Sequence, residues 1–364
     1  MKRLYRSCSI LIEIIAILLF TFWGWRLLDG VARIYETSFH SLSLLICVGF
    51  GLFFQVPVHN LGHILGGLMG GGKLIAFQFF WGNYVLEKGK FLRREKLAEQ
   101  DMIPVIVCPR DHASGGFLCL YWLGGAMANF LLTVIAYILL RTGMVPCHSL
   151  MGSMMFALFI TGLWSLADSM IPIYRMAMPN DCLKLLILLS NRTERSYYDL
   201  VFRRLLDMSE EREAEDDFSA EIPADSDGQI GLFQACWLLR GYEAKMWQGR
   251  YDEASELLKA VYLARRDLPD DWTDLISSEV ISCLSLLGQQ EALDVTDLMV
   301  TDSLRIRLEN SGRAGNMRGL YLWSLHHVEL EKKQKEYYQQ AKRSIADVAF
   351  AYARKGWMVT AIHG

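Results

Sequence analysis

The chain has 364 residues, enough for two or three domains of ordinary size. Its hydrophobic fraction of 52% is high for a soluble protein, and a net charge of -3 argues against a nucleic-acid partner or a strongly acidic substrate. Eight cysteines are scattered with no Cys-x-x-Cys pair, a pattern that reads as reduced or buried thiols.

The first half holds long apolar runs and the second half is charged, so the predicted class is mainly α, polytopic and membrane-embedded, followed by a soluble helical domain. A window of about 20 apolar residues marks four spans. The first, Ser9 to Leu28, follows Met1-Lys2-Arg3 as a signal peptide would. It is long enough to span, however, and it ends in Trp23-Gly24-Trp25-Arg26 rather than in a small-residue cleavage site, so it reads as a retained span. Glu13 within it is expected to face other helices. The second span runs from Ser41 through His59 to about Met69, the third from Phe117 to Leu140, and the fourth from Leu150 to Ala167. A fifth apolar stretch, Leu183 to Leu189, is too short to cross.

Basic residues set the expected topology. Lys2, Arg3 and Arg6 precede the first span, and seven lysines and arginines from Lys73 to Arg110 separate the second from the third. The opposite loops hold only Arg33 and Arg141, so both termini and the long loop are expected in the cytoplasm. Within that loop, Leu74 to Leu86 is rich in aromatic and branched residues. Glu87-Lys88-Gly89-Lys90 is a turn signal, and Phe91-Leu92 resumes the pattern, predicting a small β-hairpin insertion at the membrane surface.

Three parts follow: a membrane-embedded domain over 1–190, an acidic linker over 191–228 whose Ser209 to Gly228 stretch is dominated by Asp, Glu, Ser and Ala, and a cytoplasmic helical domain over 229–364. In the last, Trp247-Gln248-Gly249-Arg250-Tyr251-Asp252-Glu253-Ala254 resembles the helix-to-helix turn of a tetratricopeptide repeat. Looser echoes begin at Leu287-Gly288 and at Lys335-Glu336-Tyr337. An ordinary bundle of helical hairpins fits these residues equally well.

The chemistry concentrates at His59-Asn60-Leu61-Gly62-His63. Two histidines four apart on one helix project from the same face, the geometry two zinc ligands need. Unpaired imidazoles are costly to bury in an apolar span, which makes the pair informative. In the third span, Leu123-Gly124-Gly125-Ala126-Met127-Ala128-Asn129 combines small residues that permit close helix packing with an intramembrane amide. After the fourth span, Met178-Pro179-Asn180-Asp181-Cys182 supplies a carboxylate, the third ligand that two histidines need if one position is to stay open.

In this order the three segments resemble the site-2 protease family of intramembrane zinc metallopeptidases over about Ser41 to Ser190, roughly half the chain. The resemblance implies zinc held by His59, His63 and Asp181, Asn129 positioning substrate or shaping the site, and cleavage of membrane-associated peptides or proteins. The basic loop and its hairpin look like that family's membrane-associated β-element.

Three positions depart from the family pattern. Asn60 stands where the family has its general-base glutamate, and an amide has no titratable proton near neutral pH. Loss of such a base costs on the order of a hundred- to ten-thousand-fold in rate, while metal binding need not suffer. Cys182 replaces the family's glycine, and Asp168 stands where many relatives have asparagine, with Arg175 the suggested partner for its charge. The chain thus reads as a metallopeptidase with impaired hydrolysis or as a pseudoprotease adaptor that holds membrane clients. Asn60 is either natural or an inactivating substitution. A transporter is disfavoured because no second set of spans mirrors the first. Cys108-Pro109-Arg110-Asp111-His112 offers metal-binding atoms without a partner pair. His326-His327 reads as surface or interhelix packing. The C-terminal helices are expected to recruit substrate or a regulator.

Overall fold

A computed structural model describes residues 41–79, 82–94, 97, 103–146, 149–175, 178–210, 230–264, 268, 270–311, 314–327 and 330–345. The expected first span lies outside the described residues. The chain divides into two compact units, one comprising Met1–Leu74 and His112–Ser190, the other Ile75–Asp111 and Asn191–Gly364.

The first unit is built on α1 (Ser41–Met69), α2 (Gly115–Arg141) and α3 (Leu150–Met170), with the short α4 (Asp181–Ser190) against α2 and α3. Both long apolar helices after the loop open with a serine cap. Ser114 Oγ accepts from the Phe117 amide at 3.0 Å and Ser149 Oγ from the Gly152 amide at 3.0 Å, satisfying amides that have no partner inside the helix. Among the described residues, α2 and α3 are the two helices long and apolar enough to cross a membrane, and they match the expected third and fourth spans. The expected second span is a continuous 29-residue helix, but Gln55, His59, Asn60 and His63 interrupt its apolar run.

Glycine fixes the spacing of α1 and α2. A Cβ on Gly62 would overlap the Gly124 carbonyl oxygen, and a Cβ on Gly124 would overlap that of Gly62, so the two backbones lie in direct contact. The interior of the bundle is polar for its size. Gln55 Nε2 donates to the Leu158 carbonyl at 3.1 Å, Thr133 Oγ1 to the Asn129 carbonyl at 2.7 Å, and both residues are buried. The exterior is apolar: Phe53, Phe54, Leu61 and Leu65 on α1 and Met127, Leu131 and Ile135 on α2 are exposed.

The second unit opens with a sheet of β1 (Lys73–Phe79, from Ile75 onward), β2 (Gly82–Glu87), β3 (Lys90–Arg93) and β4 (Val105–Cys108), in the order β3-β2-β1-β4. The predicted turn is present. Lys88 and Gly89 have φ of 50° and 75°, the two left-handed residues of a tight hairpin whose twist suits its strands. Glu87 and Arg94 close it with paired 3.0 Å bonds. Leu74 to Leu86 forms two strands rather than one, so the insertion is a four-stranded sheet instead of a simple hairpin.

Helix α5 (Arg192–Ser209) occupies the opening of the segment expected to be linker. That expectation is corrected by the amphipathic spacing of Tyr198, Val201, Phe202 and Leu205, all buried. Tyr198 stacks on Phe202 at 4.1 Å, and Glu194 Oε2 accepts the Phe233 amide at 3.1 Å at the start of the next helix. Residues 211–229, most of the acidic stretch, lie outside the described residues.

Seven helices follow: α6 (Leu232–Trp247), α7 (Tyr251–Ala264), α8 (Asp270–Leu287), α9 (Gln290–Met299), α10 (Asp302–Ser311), α11 (Ala314–Ser324) and α12 (Glu331–Ile345). Gly249, φ 73°, turns α6 into α7, and Gly288, φ 64°, turns α8 toward α9, as the repeat-like motifs anticipate. The third echo is not a turn, because Lys335 to Ala341 lies inside α12, where Tyr337 and Ala341 face the core. A buried polar knot ties α6, α8 and α11: Tyr242 Oη donates to Glu279 Oε2 at 2.7 Å, and Arg318 pairs with the same carboxylate. His326 is exposed and His327 half-buried, with Nε2 atoms 3.2 Å from the Ser285 carbonyl and 2.8 Å from Asp297 Oδ1 respectively.

Candidate metal centre

Helix α1 brings His59 and His63 to its α2-facing side, one turn apart, and α4 begins with Asp181 against them. The ring atoms converge. His59 Nε2 lies 2.8 Å from Asp181 Oδ2, His63 Nε2 lies 3.2 Å from the same oxygen, and the two Nε2 atoms are 3.0 Å apart. Among the described residues this is the one group of three or more His, Cys, Asp or Glu side chains placed to hold a metal ion. The Cys108-to-His112 segment forms no such group there.

The donor set suits a divalent metal. Two imidazoles and one carboxylate are the three-ligand set of sites that keep a fourth position open. Tetrahedral zinc with bonds of about 2.0–2.1 Å spaces its ligands by roughly 3.3 Å, within a few tenths of an ångström of the edges seen here. Gly125 leaves the room: a Cβ there would lie 2.6 Å from His59 Cε1 and 2.6 Å from His63 Nε2. The second glycine of the Gly-Gly pair therefore makes space for the two rings, while the first brings the helices together. One side of the group stays open, with His59 19% and Asp181 17% exposed against 8% for His63.

The position of Asp181 is set by its neighbour. Asn180 caps α4 by accepting the Leu183 amide on Oδ1 at 3.1 Å, and its Nδ2 donates to the Asp168 carbonyl at 2.5 Å and the Ile171 carbonyl at 2.6 Å at the end of α3. A hairpin of β5 (Tyr174–Arg175) and β6 (Met178–Pro179) closes the connection between α3 and α4. Lys184, one turn along α4, is buried with Nζ 3.8 Å from Asp181 Oδ1 and 5.2 Å from the centre of the Trp122 ring. Burial pushes the Asp181 carboxyl up, but the charge of His63, the hydrogen bonds from both rings and Lys184 outweigh it. The carboxyl is held well below the usual range and stays ionised as a ligand must. Burial pulls the Lys184 ammonium down, and Asp181 opposes that shift.

Of the sequence-derived residues, His59, His63 and Asp181 come together as expected. Asn60 is half-buried on α1, one residue past His59. Asn129 is wholly buried, 0% exposed, and lies against His59, with Nδ2 3.2 Å from Nδ1. Cys182 is half-buried beside Asp181. The Arg175 side chain suggested for Asp168 lies outside the described residues. Sequence reasoning gave no role to Asn180, Lys184, Ser165 or the Tyr121 carbonyl. The signal that points to one of them is the Asn-Asp order, an N-cap signature before an apolar helix.

No protein-family model, no curated protein and no solved structure matches the chain.

Proposed function

We propose that this chain is a membrane-embedded metalloprotein of the site-2 protease type, which takes membrane-associated peptides or proteins as clients and whose hydrolysis is impaired by Asn60. The observation that carries the reading is the convergence of His59 Nε2, His63 Nε2 and Asp181 Oδ2 within a bundle that buries polar side chains among apolar ones and leaves large apolar side chains exposed. A soluble protein buries its leucines and phenylalanines. A bundle that turns Phe53, Leu61, Met127 and Leu131 outward while enclosing Gln55, Asn129 and Thr133 is organised for a lipid surround.

His59, His63 and Asp181 would hold zinc, which when bound supplies Lewis acidity toward a peptide carbonyl. The chain's own contribution is orientation. Gly125 admits both rings, Asn180 fixes the carboxylate, and the partly exposed His59 and Asp181 mark the side from which an extended peptide would approach. What the chain lacks is a side chain at position 60 that accepts a proton from water and returns it to the leaving amine. That absence favours the second reading, an adaptor that holds clients without cutting them.

The deciding experiment mixes the zinc-loaded, detergent-purified chain with a membrane-spanning peptide and follows binding and cleavage together. Binding with slow, chelator-sensitive cleavage supports the peptidase. Binding without cleavage supports the adaptor. Failure to bind any membrane peptide sinks both.

The same reading includes four spans, with both termini and the helical unit in the cytoplasm, supported by the distribution of lysine and arginine between the loops. A tag after Gly364 is expected on the cytoplasmic side and one inserted at Gly143 on the opposite side, read by protease protection in sealed vesicles. Both tags on one side would refute the span count.

A further inference from the structure

We infer that Asn129 is the positioning residue of His59, presenting its amide oxygen to the ring so that Nε2 is free to bind a metal. The inference rests on the metal-binding reading above. A neutral imidazole that ligates through Nε2 carries its proton on Nδ1, and that proton needs an acceptor. His63 has one in the backbone, since its Nδ1 lies 2.7 Å from the Tyr121 carbonyl oxygen. At His59 the atom facing Nδ1 belongs to the Asn129 amide, at 3.2 Å.

The amide has two orientations related by a half-turn, and the same end also lies 2.5 Å from Ser165 Oγ. With Nδ2 at that end, Asn129 donates to both neighbours, the ring proton is forced onto Nε2, and Oδ1 is buried without a hydrogen-bond partner. With Oδ1 at that end, it accepts from His59 Nδ1–H and from the Ser165 hydroxyl. Either orientation leaves the opposite end of the amide buried, so that end does not choose between them. The ring does: to bind a metal between the rings and Asp181, His59 must carry its proton on Nδ1, and only the second orientation accepts it there. Complete burial of Asn129 excludes competing water, so on the Nδ1 side of the ring the amide is what the proton meets.

The test measures Zn2+ affinity of the full-length protein by chelator competition, and the visible spectrum of the Co2+-loaded form. Asn129→Leu keeps the size and removes the acceptor, and it is expected to weaken Zn2+ binding by about 10- to 100-fold. Asn129→Asp keeps an acceptor toward Nδ1 and is expected to bind within a few-fold of wild type, with an unchanged Co2+ spectrum. Ser165→Ala, a small change near the surface of the same network, is expected to cost roughly two- to fivefold. Wild-type affinity in Asn129→Leu would overturn the inference. So would Asn129→Asp weakened as far as Asn129→Leu or, should that variant not fold, Asn129→Asp weakened more than Ser165→Ala. A wild type that takes up neither Zn2+ nor Co2+ overturns the metal reading itself, an outcome distinct from a wild type that binds while Asn129→Leu binds equally well.

Discussion

Replacing Asn60 with glutamate is expected to raise peptide-bond hydrolysis by on the order of a hundredfold or more. Position 60 follows His59 on α1 and is half-buried. Asparagine there accepts and donates hydrogen bonds but moves no proton. Glutamate is longer by one methylene and can take a proton from the attacking water and deliver it to the leaving amine. The experiment sets Asn60→Glu beside the parent on a membrane-spanning peptide, resolved by gel, with zinc content matched. Strong, chelator-sensitive cleavage by the parent would show that the general base was wrongly located. No cleavage by either, with zinc bound and peptide captured, would favour an adaptor whose site has drifted from catalysis.

The detergent-purified chain is expected to carry about one zinc per molecule, falling to roughly a tenth or less when His59, His63 or Asp181 becomes alanine. Each of the three contributes one of the converging atoms, and two remaining ligands hold zinc far more weakly than three. Gly125→Ala is expected to have nearly the same effect without removing any ligand, because its methyl would lie 2.6 Å from atoms of both rings and push them apart. Overpacking of that kind typically costs about 1–3 kcal/mol, which the bundle relieves by moving the imidazoles. Elemental analysis in zinc-replete buffer without chelator decides the matter. A metal-free parent would remove the basis for the site. Iron in place of zinc would keep the site and change its chemistry, since two histidines and a carboxylate also suit ferrous iron.

The sequence shows its local features plainly. The hairpin turn at Lys88-Gly89, the helix-to-helix turns at Gly249 and Gly288, and the two apolar helices from 115 and 150 are set by residues adjacent in the chain, whose backbone preferences act within a few positions. Legibility failed where a pattern had two meanings. Lys335 to Ala341 carries the small and aromatic residues of a helix turn but lies inside α12, because no glycine or proline breaks it there. The segment from 191 was read with the acidic run that follows it, and the buried face of Tyr198 and Phe202 prevailed.

By itself the sequence placed the two histidines on one helix face and, through the family resemblance, named Asp181 as the carboxylate to join them, and the structure brings the three together. The sequence also determined that position 60 lacks a general base. Only the tertiary structure decided the roles of the residues around that triad. Asn129 is 70 positions from His59, and its burial against that ring follows from where α1 and α2 cross. That crossing is set by the mutual contact of Gly62 and Gly124, while Gly125 holds open the space the imidazoles fill. The Tyr121 carbonyl behind His63 is equally a product of the crossing. A residue's type and spacing limit which chemistry it can do, but its partners are fixed by distances that exist only once the helices have packed.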